Sequence, residues 1–595
     1  MASKIEKAKN ATQAAWQVIN AISRFKVKRP VNLDNIPEME GKTDKERCNI
    51  YAKHCQRFDD PADAHKTAAE LEAELMAIVP APSENDEQPP VFAVEDIRQC
   101  FRLLRRDQAT GPGDIDAPTL KENACELALP YTRIFNRSVK EGLYPYKLNY
   151  VKPQQKKSEA PTKIKDARPV TLTSIAGKTL QRLVKPHFVL NKRAANDPNQ
   201  YGFKANFSVT DALINVIDFA HKLLERGQCA VRILLLDFSS AFDTIRHKRL
   251  IQRLVDLGCP RWLVVWMVSF LSGRVRIVII GDAQSGKTYM TIGGPQGEVL
   301  SPDLFTMETD DMTINNVLQQ LVKFADDSTL VAAVSNKEEF DAYITSINNI
   351  ADQCDEKGLI LNADKTKEII VDFSKGRRIS SALPRTTMRG VEIERVACEK
   401  LLGFQLCEDL KPHEHINYRI KQANQRLFLL YRLRKAGLPR TALAMFYEQG
   451  IRSILEPASP VFHHALTVDD QERLGQVQRR AERCIRDGKV RASLQQRREE
   501  ACAKLFDKMR ERNDPLLPPL RAKHIPLYRA ASNVADGQLT MLKGTKRYTD
   551  SFVPAQTRAY NYKINKDNID ANKRKLYETR TGTFSRALKK ARVSL

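Results

Sequence analysis

A chain of 595 residues with 96 lysines and arginines against 72 aspartates and glutamates carries a net charge of +24 and a pI near 9.5. That length accommodates several domains and at least one large core, and the cation excess points to a polyanion, nucleic acid or an anionic membrane. The longest apolar stretch, Trp262 to Leu271, has 10 residues and cannot span a bilayer, and the N-terminus lacks the apolar core of a signal peptide. The 11 cysteines are scattered with no Cys-x-x-Cys pair, which argues against a zinc knuckle or disulfide framework and for reduced thiols in an intracellular protein.

Residues 1–78 read as an N-terminal helical region with little to fix a fold. Residues 59–88 hold nine acids against one base, Lys66. They lead into an acidic, proline-rich linker over 79–91. After it, Ile97, Phe101 and Leu104 recur at helical spacing and predict a helix over 94–106, stopped at Gly111-Pro112-Gly113. From about 150 to 405, short apolar strands alternate with helices, the pattern of an α+β or α/β domain.

Within that span, Gly281-Asp-Ala-Gln-Ser-Gly286-Lys287-Thr288 matches the Walker A pattern in every fixed position. A phosphate-binding loop of that kind needs a helix directly after it, because the phosphates sit on the helix N-terminus. The next residues are instead Tyr289-Met-Thr-Ile292 and then Gly293-Gly294-Pro295, a second short strand broken by a turn. The segment reads as a β-hairpin.

Beyond 410, Ile416, Ile420, Ala423, Leu427 and Leu430 form an apolar helical stripe that ends at Gly437, with Pro439 two residues on. Leu474, Val477, Ala481 and Cys484 form another, on a helix also carrying Arg473, Arg479, Arg480 and Arg483. Both stripes read as packing faces, with the arginines either solvated or in contact with nucleic acid. Residues 411–512 thus form a helical region. Residues 513–595 form a basic C-terminal region, whose last part, 541–595, has 14 lysines and arginines against 4 acids. Its runs Lys573-Arg574-Lys575 and Lys589-Lys590-Ala591-Arg592 suit a nuclear address or a grip on a polyanion, though such tails are often only solubilising.

The most informative residues are acidic. Leu234-Leu235-Leu236 runs into Asp237, and Phe324-Ala325 runs into Asp326-Asp327. Aspartate pairs in turns are common and most bind nothing. Adjacent carboxylates at the end of an apolar strand repel each other, however, and partial burial adds to that cost unless a cation lies between them. Three such groups are the set that a two-metal phosphoryl-transfer site requires.

In order along the chain come Ala167-Arg168-Pro169-Val170, Gln200-Tyr201-Gly202-Phe203, Asp237-Phe-Ser-Ser-Ala241-Phe242-Asp243, Gly294-Pro295-Gln296-Gly297, Phe324-Ala-Asp-Asp327, Leu361-Asn362-Ala-Asp-Lys365-Thr366-Lys367 and Leu401-Leu402-Gly403-Phe404. This series resembles the reverse transcriptase of non-LTR (LINE-type) retrotransposons, over roughly residues 90–410. The resemblance implies an α+β right-hand polymerase fold, with fingers and an antiparallel palm sheet over 92–410 and a helical thumb over 411–512. It implies Asp237 and Asp326 as the main ligands of two Mg²⁺ (or Mn²⁺) ions, with Asp327 in support. It assigns Arg168, Phe242, Gln296, Gly297 and Lys365 to the incoming nucleotide, with Phe242 excluding a ribose 2′-hydroxyl. Lys367 competes with Lys365 for the pyrophosphate, and Leu402 and Gly403 fall on the primer grip. The implied partners are an RNA template, a DNA primer or target, and dNTPs, with no membrane.

Several positions depart from the family pattern. Glu298 stands where Ser is common, an added negative charge near the nucleotide path, and Asp303 adds a further acid; Gly294 replaces an apolar residue. Such elements usually carry an endonuclease ahead of the polymerase, and residues 1–90 have no room for one, which predicts a truncated or polymerase-only form. The rival readings are a nucleic-acid-binding remnant that no longer catalyses, a P-loop NTPase through Lys287, and an RNA-copying RNA polymerase, which Phe242 disfavours.

Overall fold

The computed structural model describes residues 35–59, 66–111, 113–155, 161–192, 197–227, 230–294, 296–374, 383–519 and 538–564, with positions 19, 33, 63, 379, 566 and 567. The basic runs at 573–575 and 589–592, and the helical reading of most of residues 1–34, lie outside the described residues. The chain is mixed α and β. Its strands are β1 (Leu148–Gln155), β2 (Ala167–Leu172), β3 (Ala230–Leu236), β4 (Phe238–Ser239), β5 (Val275–Ile280), β6 (Ala283–Gln284), β7 (Thr288–Tyr289) and β8 (Gln319–Phe324). They continue with β9 (Asp327–Val334), β10 (Ile360–Leu361), β11 (Lys367–Asp372), β12 (Thr387–Met388), β13 (Val391–Glu392), β14 (Glu394–Arg395), β15 (Cys398–Leu401) and β16 (Phe404–Cys407).

The central sheet runs β14-β11-β3-β9-β8, with β3 antiparallel to both β11 and β9. Leu234 and Leu236 of β3 pack to one side with Trp266 and Ile347, from helices Arg261–Leu271 and Lys337–Lys357. Val231 and Ile233 pack to the other with Leu213 and Ala423, from helices Val209–Leu224 and His413–Lys435. A strand covered on both faces has no solvent side to place polar residues, so β3 reads as a continuous apolar run. Arg232 interrupts it, fully buried and paired with Glu368 of β11 at 3.2 Å.

A second sheet holds β2, β1, β5, β6 and β7, with β1 antiparallel to β2 and parallel to β5. The Walker-like segment belongs to it. β5 pairs antiparallel with β6 and with β7, and no helix starts at Lys287.

The N-terminal region has a firmer fold than its sequence suggests. Helix Asp44–Cys55 begins at a capping box, in which Thr43 N–H donates to the Glu46 carboxylate and Glu46 N–H donates to the Thr43 hydroxyl. Its Cys48, Tyr51 and Ala52 pack on Val151, Ala167 and Val278 of the second sheet, and the Tyr51 hydroxyl donates to the Ala167 carbonyl at 3.1 Å.

The helix predicted over 94–106 spans Val94–Arg102. It ends early because the Leu104 carbonyl is taken by Lys121 Nζ at 2.9 Å and Arg105 turns back onto Asp107. The Gly111 turn lies against the backbone of Thr173 and Ser174, where a Cβ would come within 2.6 Å of both. Asp114 beyond it accepts hydrogen bonds from the Ser174 hydroxyl and from Ile175 N–H, capping helix Ile175–Lys192.

Beyond the sheets, the first apolar stripe lies on helix His413–Lys435, closed by Gly437 at φ 77°. The second lies on Val468–Ile485 with Leu474, Val477, Ala481 and Cys484 buried. Phe552 and Val553 of the C-terminal region pack on Cys502, Phe506 and Ile214. The expectation of uniformly reduced thiols is corrected at one place: Cys398 and Cys407 face each other across β15–β16 and are joined in a disulfide. Strand pairing, invisible in the spacing of the cysteines, brings them together. Among the described residues no helix is long and apolar enough to cross a membrane.

Candidate active site

The register of the central sheet decides where the acids lie. Leu236 pairs with Ser328 across β3–β9, so Asp237, one residue further on, emerges beside Asp327. β8 and β9 form a tight hairpin in which Phe324 pairs with Asp327, leaving Ala325 and Asp326 as the two turn residues. Asp237 and the adjacent pair that begins 89 positions after it therefore share one end of one sheet.

That turn is held from outside. Ala325 has φ 56°, a left-handed conformation that costs a residue with a Cβ roughly 1 kcal/mol or more. Gln200, buried, accepts hydrogen bonds at its side-chain oxygen from Ala325 N–H at 3.1 Å and Gly202 N–H at 2.9 Å. Gly202 lies so close that a Cβ on it would sit 2.3 Å from the Ala325 nitrogen. The strand-like segment 199–201 also pairs with Lys323, whose buried ammonium reaches Asp197 at 2.8 Å. In the sequence, Gln200 and Gly202 are marked only by their place in the motif series, with no task attached. Nothing local to residue 200 points to a turn 125 residues away.

Loss of hydration is the main reason the carboxyls of Asp326 and Asp327 are pushed up. Arg168 opposes the shift at Asp326, and the Asp237 charge adds to it. Asp327, next to both other acids, is pushed up to about 6. Lys365 Nζ lies 3.3 Å from the Asp237 carboxylate. All three acids offer the hard oxygen donors that Mg²⁺ and Mn²⁺ favour. Among the described residues no three His, Cys, Asp or Glu side chains enclose a metal position by themselves. A Mg²⁺ site of one or two carboxylates completed by substrate phosphates and water fits this donor set.

Of the other predicted residues, Arg168 is exposed on β2, within electrostatic reach of Asp326. Phe242 is half-buried in the turn after β4, its ring stacked on Phe305 at 4.8 Å. The Gln296 amide donates to Asp243 at 3.1 Å, and its carbonyl accepts from Thr171 N–H at 3.0 Å, joining this loop to β2. Gly297 has φ 112°, and a Cβ there would approach the Thr171 carbonyl to 3.0 Å. Pro295 lies outside the described residues. Of the two candidate lysines, Lys365 faces Asp237 whereas Lys367 is bound to Glu394. Leu402 and Gly403 form the two-residue turn of β15–β16, both with positive φ, and the Gly403 carbonyl accepts from Arg419 at 3.0 Å.

Residues 154–406 match the family described as reverse transcriptase (RNA-dependent DNA polymerase). The chain carries a reverse transcriptase domain. It is 25% identical over 392 residues to the RNA-directed DNA polymerase from mobile element jockey of Drosophila funebris, covering 63% of this chain and 41% of that protein. It is 25% identical over 426 residues to the probable RNA-directed DNA polymerase from transposon X-element of Drosophila melanogaster, covering 68% and 45%. Similarity extends to a Pol polyprotein from the R2 element of Popillia japonica, 28% identical over 239 residues, covering 37% and 31%. The chain thus spans less than half the length of these relatives.

Two of the departures from the family pattern are acids with cationic partners in the fold. Glu298 is buried, paired with Arg274 at 2.5 Å and hydrogen-bonded by Gln181, so its charge is neutralised. Asp303 pairs with Lys185 at 2.7 Å. A Cβ on Gly294 would meet only ordinary contacts, so no steric reason demands glycine there.

Proposed function

We propose that this chain is an RNA-directed DNA polymerase of a non-LTR retrotransposon, extending a primer 3′-hydroxyl with dNTPs on an RNA template. The observation that carries the reading is the register that sets Asp237 beside the Asp326-Asp327 turn. In right-hand terms, the central sheet is the palm, the β1–β2–β5 sheet belongs to the fingers, and the helices of 411–512 are the thumb. The N-terminal region, 1–78, contributes helix Asp44–Cys55 behind the fingers sheet, and 79–91 links the two. Residues 513–595 form a basic C-terminal region that would carry any nuclear address.

Divalent ions held by Asp237, Asp326 and Asp327 would supply activation of the primer hydroxyl and neutralisation of the leaving pyrophosphate. The protein's own residues do the rest. Arg168 receives the triphosphate through its forked guanidinium. The Phe242 ring, braced from behind by Phe305, closes the space a ribose 2′-hydroxyl would need. Gln296 and Gly297 line the nucleotide. Lys365 is poised beside Asp237 to offset the charge of the departing group. Leu402 and Gly403 support the primer end.

The test is primer extension on an RNA template with dNTPs and Mg²⁺. Wild-type protein is expected to extend, and Asp326→Ala to lose at least about a hundredfold in rate, as loss of a transition-state charge stabiliser does. Equal extension by Asp326→Ala would refute the assignment. Binding of primer–template by a wild-type protein that extends nothing would favour the catalytically inactive remnant.

A further inference from the structure

The matched reverse transcriptase segment begins at residue 154, yet the loop that carries Phe242 is completed by a residue far upstream. Helix Asp44–Cys55 is fixed on the second sheet by Tyr51 and by Arg276, which donates to the Cys55 carbonyl at 3.0 Å. The chain leaving that helix delivers Arg57 to residues 240–243. One arm of its guanidinium donates to the His54 carbonyl at 2.7 Å and the other to the Ser240 hydroxyl at 2.9 Å. The Asp243 carboxylate lies 3.7 Å from it. The ring of Phe58 stacks beneath, 4.1 Å from the guanidinium carbon.

Two of the groups that Arg57 touches, Ser240 and Asp243, flank Phe242 in its loop. Ser240 has φ 56°, the left-handed turn that swings the chain from β4 towards Phe242, and its carbonyl accepts from Asp243 N–H at 2.7 Å. The other Asp243 oxygen accepts from the Gln296 amide at 3.1 Å. The Phe242 carbonyl accepts from Gly294 N–H at 2.8 Å. An arginine of the N-terminal segment thus sits at one end of a chain of contacts, Arg57–Asp243–Gln296, that spans the loop bearing the ring and the loop bearing the amide.

We infer that Arg57 is a positioning residue for nucleotide selection: by holding Ser240 and Asp243 it fixes the relation between Phe242 and Gln296. A planar fork suits this task better than an ammonium, because it reaches Ser240 and the His54 carbonyl from one rigid plane. The inference rests on the polymerase reading above, and adds that the segment before residue 60 takes part in choosing the substrate.

The test uses the full chain, measuring dNTP KM, the ratio of dNTP to rNTP incorporation, and primer–template Kd. Arg57→Ala is expected to raise dNTP KM roughly fivefold or more and lower the dNTP/rNTP ratio, the order expected for losing one charged hydrogen bond. Primer–template Kd should stay at the wild-type value, which a general loss of structure would not allow. Arg57→Lys should recover part of the discrimination. Asp243→Asn should show the same defect, and the double variant should be no worse than either single change, because both break one network. If Arg57→Ala does not fold, Ser240→Ala removes only the hydroxyl that accepts from it, and should give a smaller change in the same direction. KM and discrimination at wild-type values in Arg57→Ala, or in Ser240→Ala where the former does not fold, would overturn the inference. A wild-type protein that incorporates neither nucleotide would instead sink the polymerase reading itself.

Discussion

Asp327 is exposed at the start of its strand, yet the protein packed around it takes part of its hydration, and this and two neighbouring carboxylates raise its folded-state carboxyl to about 6 from an ordinary value of 3.8. A raised acid binds its proton more tightly in the folded than in the unfolded chain. Its contribution to stability is therefore present at low pH and lost as pH rises from about 4 through about 6. At pH 8 and without divalent ions the three acids repel one another, relieved only in part by Lys365 at Asp237 and Arg168 at Asp326, so Asp327→Asn should raise the thermal midpoint there while weakening extension. A lower midpoint would contradict this. Protons and metal compete for the same oxygens, so the Mg²⁺ concentration giving half-maximal extension should climb as pH falls from 7.5 to 5.5. Gly202 offers a different test at the same scale. Gly202→Ala would drive a Cβ to 2.3 Å from the Ala325 nitrogen and displace the Asp326 turn. Extension should fall at least about tenfold and demand more Mg²⁺, since small misplacements of a reacting group are costly. Unchanged Mg²⁺ dependence would show that the turn tolerates the push.

The stability of the elements depends on polar groups that a hydropathy pattern does not register. Arg232 and Glu368 are both fully buried inside the central sheet, joined by Thr386, Tyr343 and Arg395, which all bind Glu368. Removing Glu368 alone strands the Arg232 charge in the core. Glu368→Ala should therefore lower the unfolding free energy by about 3–5 kcal/mol in urea titration. A loss below about 1 kcal/mol would mean that Thr386 and water suffice for Arg232. The apolar run Leu234–Leu236 of β3 was plain in the sequence, as were both helical stripes, because each is a local pattern. The early end of helix Val94–Arg102 was not, because the Leu104 carbonyl just beyond it is taken by Lys121, a residue from another helix.

The whole chain carries a net charge of +24. A partner held by its phosphates releases counterions on binding, so affinity for primer–template should fall steeply with salt, about 10³-fold or more between 50 and 200 mM if six or more phosphates are engaged. A shallow salt slope in a filter-binding titration would mean that stacking, not charge, carries the affinity. Charge counting also misplaces some groups. Glu298 and Asp303 look in the sequence like unwelcome acids on the nucleotide path, and the fold pairs both with buried or half-exposed partners on other elements.

The order of short motifs from Arg168 to Gly403 was enough to point to the family and to single out three acids for the proposed site, because each motif is a short local string. The Walker-like segment was likewise resolved locally, by the strand that comes after Lys287. Residues 35–59 gave no such sign. Only tertiary packing joins Arg57 to Asp243, Gln200 to the Ala325 turn and Cys398 to Cys407, since each pairing depends on sheet register and helix docking rather than on neighbours in the chain.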